Sequence, residues 1–210
     1  MKRDLAGVFI AFCDLLMCFL VVVVTMVAVR RPDAANGPEL KAEYLITAEW
    51  SVDVDADVDL WVVGPGGKPV FYSSREVGCL HLDRDSRGFL DNWVTLADGR
   101  VVKSASAKET VTMRCVAPGH YDVAVHLYSY RIDNIAVSAT RKDLALSVRV
   151  QIVKLNPALT MPFTADARLD RRWQTANIVS FDLDAEGGIA LSDPPLAPLT
   201  DEFYRSRATQ

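Results

Sequence analysis

From Leu5 to Val29 the chain reads "LAGVFIAFCDLLMCFLVVVVTMVAV", an apolar run whose single charge is Asp14. At 1.5 Å of rise per residue, about 25 such residues cross a hydrocarbon core of roughly 30 Å with some tilt, so the run predicts a transmembrane helix. A cleaved secretion signal is the rival reading. Its apolar segment is usually only ~7–15 residues, and "VAVRRPD" offers a poor small-residue cleavage site, so a retained anchor is expected. Lys2 and Arg3 favour a cytoplasmic N-terminus, while Arg30 and Arg31 on the other side weaken that signal. The expected layout is residues 1–30 as cytoplasmic tip and membrane helix, 31–43 ("RPDAANGPELKAE") as linker, 44–192 as an extracytoplasmic domain and 193–210 as a tail.

A carboxyl inside a bilayer costs at least ~2.5–3.5 kcal/mol on insertion scales, and such groups usually face protein or water and serve ion or proton pathways. On a wheel of 100° per residue, Gly7, Ala11, Asp14, Cys18, Val21 and Thr25 share one stripe, and Phe9, Phe12, Leu16, Phe19 and Val23 lie opposite. Helices in lipid associate through small residues that let backbones approach. The stripe, and Asp14 with it, is therefore expected to meet other protein. A carboxyl that alternates there between wet and dry surroundings can take up and release a proton; the plainer role is a hydrogen bond that glues two helices or reaches interfacial water.

Residues 9–24, "FIAFCDLLMCFLVVVV", place an aromatic-rich turn before Asp14 and Leu-, Val- and Phe-rich turns after it. This pattern resembles the membrane helix of the MotB, ExbD and TolR type of motor (stator) subunit. The resemblance implies a homodimer seated within a pentamer of multi-helix MotA-, ExbB- or TolQ-like partners in a bacterial inner membrane. It implies that Asp14 carries the translocated proton or sodium ion, and that rotation does work in the periplasm. Few polar residues accompany Asp14, which favours protons. The remainder departs from that pattern: neither an OmpA-like peptidoglycan-binding domain nor a small ExbD-type domain is recognisable.

Beyond the linker the periodicity changes to two. In "EWSVDVDADVDLWVVGPGG", Val52, Val54, Ala56, Val58, Leu60 and Val62 alternate with Ser51, Asp53, Asp55, Asp57, Asp59 and Trp61, as on the two faces of one strand. Further strands are expected at "PVFYSS", "ETVTMRCV", "HYDVAVHLYSY", "ALSVRVQIVKLN" and "ANIVSFDLD", with turns at "GPGGK", "APGH" and "AEGG". Long helical periodicity is absent here, so the fold class is mainly β, one N-terminal transmembrane helix followed by an antiparallel β-sandwich. The stretches "DADVDLWVVGPGGKPVFYSS", "LHLDRDSRG" and "APGHYDVAVHLYS" also resemble exported β domains that carry a D-x-DLHV-x-x-P-x-G signature. That likeness spans roughly residues 45–190 and speaks for the fold alone.

The aspartates of the first strand, together with Asp83, Asp85, Asp91 and Asn92 of "LDRDSRGFLDN", form an oxygen-rich set of the kind that suits calcium, which takes 6–8 hard ligands. Asp57, Asp59, Asp83 and Asp85 are the expected ligands; the alternative is a solvated acidic face balanced by Arg84 and Arg87. Cys79 and Cys115 are a candidate disulfide if the domain lies in an oxidising compartment, with buried free thiols as the alternative. His81, His120 and His126 show no ligand spacing and are read as structural. With a formal charge of −4 and scattered basic residues, nucleic acid is not an expected partner. No nucleophile elbow, phosphate loop or zinc-protease motif is present, so no enzymatic role is expected. A membrane-tethered binding domain, with the helix as anchor only, is the alternative function.

Overall fold

The computed structural model describes residues 2–29, 41–88, 92–133, 135–138, 141 and 143–192. Most of the expected linker, the whole tail and Asp91 lie outside these residues. The chain divides into two compact units, Met1–Leu40 and Lys41–Gln210.

In the first unit, one unbroken helix, α1, runs Lys2–Val29. Its stretch Gly7–Met26, 20 residues, is long and apolar enough to cross a membrane. A helix suits that setting because it satisfies every backbone donor and acceptor within itself. Thr25 does the same for its hydroxyl, which donates to the carbonyls of Val21 and Val22 at 2.8 and 2.9 Å. Every side chain described on α1, Asp14 included, is exposed.

The second unit is built of strands β1 (Tyr44–Ser51), β2 (Asp55–Val63), β3 (Pro69–Val70), β4 (Glu76–Val77), β5 (Leu80–Arg84), β6 (Trp93–Thr95), β7 (Val101–Lys103), β8 (Ser106–Met113), β9 (Gly119–Ile132), β10 (Ile135–Ala136), β11 (Leu146–Lys154), β12 (Thr160–Leu169), β13 (Thr175–Leu183) and β14 (Ile189–Ser192). They form two antiparallel sheets, ordered β12-β11-β1-β8-β5-β4 and β14-β13-β9-β2-β3, with β10 beside β9 and a separate β6–β7 hairpin. Alternate residues of both sheets supply one core: Ile46 and Ala48 of β1, Val111 and Met113 of β8 and Val148, Val150 and Ile152 of β11 from the first sheet, Val58, Leu60 and Val62 of β2, Val123 and Val125 of β9 and Phe181 of β13 from the second. Tyr121 and Phe181 stack within it, ring centroids 5.0 Å apart. The unit is thus the mainly β, antiparallel sandwich that period-two alternation predicts.

Two departures bear on the site. The single strand expected through "EWSVDVDADVDLWVV" is two strands in opposite sheets. Ser51 breaks it: its hydroxyl accepts the Asp53 amide at 3.2 Å and its carbonyl accepts the Val54 amide at 3.4 Å, a side-chain-assisted turn that reverses the chain. Asp53 therefore leaves the aspartate ladder. Strand β12 was hidden in sequence by Pro162, which argues against a central strand; its position at the sheet edge tolerates the missing amide.

The "APGH" turn between β8 and β9 is held closely. Gly119 has φ 138°, and a Cβ there would stand 2.6 Å from Pro65 Cγ. Gly119→Ala is expected to cost about 1–3 kcal/mol in chemical denaturation, from overpacking and backbone strain together; an unchanged midpoint would show that the Pro65 loop yields freely.

Candidate functional site

The sequence marks two places, and they fall in separate units. On α1, Asp14 sits one helical turn from Cys18 and one from Ala11, on the small-residue stripe, with no hydrogen-bond or ionic partner among the described residues.

In the sandwich, the acidic set gathers on the outer face of the second sheet. A cavity of about 210 Å³ is lined by Asp57 and Asp59 of β2, Tyr72 of the turn after β3, Asp85 and Arg87 following β5, and Tyr128 of β9. Local geometry explains how these meet. Asp57 pairs with Ser129 and Val58 with Leu127, leaving Tyr128 as the extra residue of a β-bulge. Bulges re-aim side chains, and this one sets Tyr128 beside the two aspartates. Opposite it, Phe71 and Ser74 exchange backbone hydrogen bonds of 3.1 and 3.0 Å in a tight turn, which lays Phe71 on Trp61 at 4.0 Å and brings Tyr72 to 6.5 Å from Tyr128. Trp173, with φ 67°, braces Tyr128 edge-on at 5.1 Å.

Asp59 is only 5% exposed, and no hydrogen-bond partner reaches it among the described residues. Burial pushes its carboxyl well above the usual carboxylate range, and the charges of Asp57 and Asp85 add to this. Glu109 of β8, 1% exposed, reaches across from the first sheet. Its Oε2 accepts the Leu60 amide at 2.6 Å, while its Oε1 is buried without a hydrogen bond. Burial, then the neighbouring Asp59, holds this acid well up as well, with the Leu60 amide opposing. Tyr72 is raised by burial and by the same Asp59 charge. Glu109 escapes a sequence reading because it sits in a different strand, some fifty residues away, and nothing in "SAKETVTM" marks it as the inward-facing acid.

Of the four aspartates expected to bind calcium, Asp57, Asp59 and Asp85 share this cavity. Asp83 does not join them: the register of β5 against β8 shifts between Leu82 and Arg84, and Asp83 instead accepts from Thr112 Oγ1 and pairs with Arg114 Nη2, each at 2.5 Å. Asp85 lies 3.5 Å from Arg75 Nη1. Among the described residues no three His, Cys, Asp or Glu side chains are gathered closely enough to hold a metal ion.

Cys79 and Cys115 are joined as a disulfide, Cα to Cα 5.3 Å. The bridge flanks the β5–β8 pairing, where Leu80 faces Met113. The histidines serve packing and cross-strand contacts: His126 Nδ1 lies 2.9 Å from Thr175 Oγ1, and His120 stands between Asp182 at 2.9 Å and Asp122 at 3.3 Å. The Asp182 hydrogen bond raises the His120 imidazole.

No protein-family model and no curated protein matches this chain. Among solved structures, a chain described as "Crystal structure of unknown function protein SAV2460" is similar at a TM-score of 0.39 and 14% identity over 72% of this chain and 86% of its own, too distant to carry an argument.

Proposed function

We propose that the chain is a membrane-anchored subunit of an ion-driven assembly in a bacterial inner membrane, with Asp14 as the proton carrier and the β-sandwich as its periplasmic output. One observation carries this reading: in Gly7–Met26, a helical stretch long enough to cross a bilayer, the single acid, Asp14, lies on the stripe of small residues and has no partner among the described residues. An anchor has no use for such an acid, whereas an ion pathway built with a second protein does. The partner that fits is a multi-helix membrane protein with a groove for the stripe, and a homodimer of this chain would present two such acids to it. The resemblance of residues 9–24 to motor-subunit helices points the same way.

The test is proton flux in vesicles that contain the full chain together with the multi-helix protein that co-purifies with it in mild detergent. Asp14→Asn keeps the side chain's size but cannot cycle a proton, so it is expected to abolish flux while co-purification persists; Asp14→Glu is expected to retain part of it. Flux of wild-type size through Asp14→Asn, or a full chain that stays a solitary monomer in lipid, would overturn the reading in favour of a tethered domain whose helix is anchor only.

A further inference from the structure

The cavity on the outer face of the second sheet is independent of the helix and of the reading given to it. Four carboxyls, Asp57, Asp59, Asp85 and Glu109, cluster there against two guanidinium groups, Arg75 and Arg87. Arg75 answers Asp85. Asp59 stands in the cavity wall with nothing to answer it, and Glu109 Oε1 is orphaned close behind. A buried polar group without a hydrogen bond costs about 1–3 kcal/mol, and more when charged, so an unsatisfied Asp59 in the wall of a cavity invites a ligand that satisfies it.

We propose that this cavity binds a small organic cation, a primary ammonium or guanidinium group, with Asp59 as its counter-ion and Tyr72 and Tyr128 as its aromatic walls. Three observations select this chemistry. The base carries a buried acid, Asp59, that no hydrogen bond satisfies among the described residues. The walls are tyrosine rings, each buttressed by a second aromatic edge-on, Phe71 against Tyr72 at 5.1 Å and Trp173 against Tyr128 at 5.1 Å. Ring faces attract desolvated cations, and rigid rings beside a carboxylate are the usual recognition element for ammonium groups. Size is the third: at ~30 Å³ per water, about 210 Å³ holds roughly seven waters, below the ~300 Å³ where drug-sized ligands begin. One amine-bearing chain fits. A calcium ion would need oxygens converging at about 2.3–2.6 Å, and the described side chains do not gather that way.

Trp173 adds a structural argument. Its backbone occupies the left-handed region, which costs about 1–3 kcal/mol for a bulky residue and persists only where its surroundings enforce it. Here its amide donates to the Leu127 carbonyl at 2.7 Å, and the Arg172 guanidinium donates to the Tyr128 carbonyl at 3.1 Å. Both contacts fasten the strand at the bulge, so the strained residue fixes the ring that forms one wall.

The test is calorimetric titration of the full chain in detergent micelles with butylamine, with N-acetyl-arginine amide, with a capped Ala-Lys-Ala peptide and with calcium chloride. Saturable binding of at least one of the three organic cations is expected, weakened tenfold or more by Asp59→Asn and several-fold by Tyr128→Ala, and unchanged by Asp83→Asn, which lies outside the cavity. Because burial raises the Asp59 and Glu109 carboxyls, a bound cation is expected to favour their ionised forms, so binding should tighten as pH rises and carry a heat that depends on the buffer's ionisation enthalpy. Tighter binding of the peptide than of butylamine would assign the cation to a polypeptide side chain, and the reverse to a free amine. No saturable heat with any organic cation, equal affinity in Asp59→Asn, or saturation by calcium alone would each overturn the proposal.

Discussion

Replacing Cys79 and Cys115 together by Ala is expected to remove about 4 kcal/mol of stability from the sandwich. The bond closes a loop with a sequence separation of 36, and the chain-entropy relation assigns a loop of that length about 4 kcal/mol at 25 °C. For a unit of this size that corresponds to a fall in Tm of roughly 8–15 °C. All four tryptophans, Trp50, Trp61, Trp93 and Trp173, lie in the sandwich, so tryptophan fluorescence of the full chain follows this unit alone. The enclosed segment carries Asp85, Arg87 and Glu109, so the variant is also expected to loosen the cavity before global unfolding, detectable as earlier amide exchange on β5 than on β11. A change below about 1 kcal/mol would show that the unfolded chain gains little freedom when the loop is opened.

The second large effect concerns Asp59, and its sign reverses the usual expectation for removing a buried acid. Unfolded, Asp and Glu titrate near 3.9 and 4.3. Folded, Asp59 and Glu109 are both raised, by burial first and then by neighbouring carboxylates. A folded state that holds its protons more tightly than the unfolded chain loses stability as pH rises from about 4 towards the folded values, and keeps its full stability below pH 4. Asp59→Asn removes that loss at its source and also relieves Glu109 of a neighbouring charge. At pH 7.5 the variant is expected to be more stable than wild type and to melt at a clearly higher temperature, because the cost of ionising a buried acid is gone. At pH 4 the two should melt together. Equal melting at both pH values would mean that Asp59 ionises freely in the fold. A variant that is more stable yet blind to organic cations would separate binding from folding in one protein.

The fold class is legible because alternation is strong where a strand has one face in the core. Strands β9, β11 and β13 announce themselves by Val, Ile and Phe at every second place. The exceptions have local causes: Ser51 ends a strand that hydrophobicity alone would continue, and Pro162 disguises an edge strand. Half of the acidic site is equally legible, since Asp57, Asp59 and Asp85 lie in visibly acidic segments. The rest depends on tertiary placement. Asp83 looks the same as Asp85 in "LDRDSR", but two residues along a strand whose register shifts between Leu82 and Arg84 separate a surface ion pair from a cavity wall. Glu109 and Tyr128 are invisible as site residues because one acts from the opposite sheet and the other through a bulge. Asp14 is the converse case: a single residue out of keeping with its neighbours is informative without any tertiary contact.

Strand β3 pairs with only Val62 and Val63 of β2, so the preceding stretch of β2 is a sheet edge. At Leu60 the buried backbone donor is taken by the Glu109 carboxyl instead of by another strand. Open edges with regularly spaced donors are templates on which further strands, from a second molecule, can add. An inward-reaching acid at this position makes the edge unusable for that purpose, since an incoming strand would have to displace a buried carboxyl and bring its own carbonyl into an acidic surround. The buried acid behind the cavity therefore also leaves this edge without a free donor at Leu60.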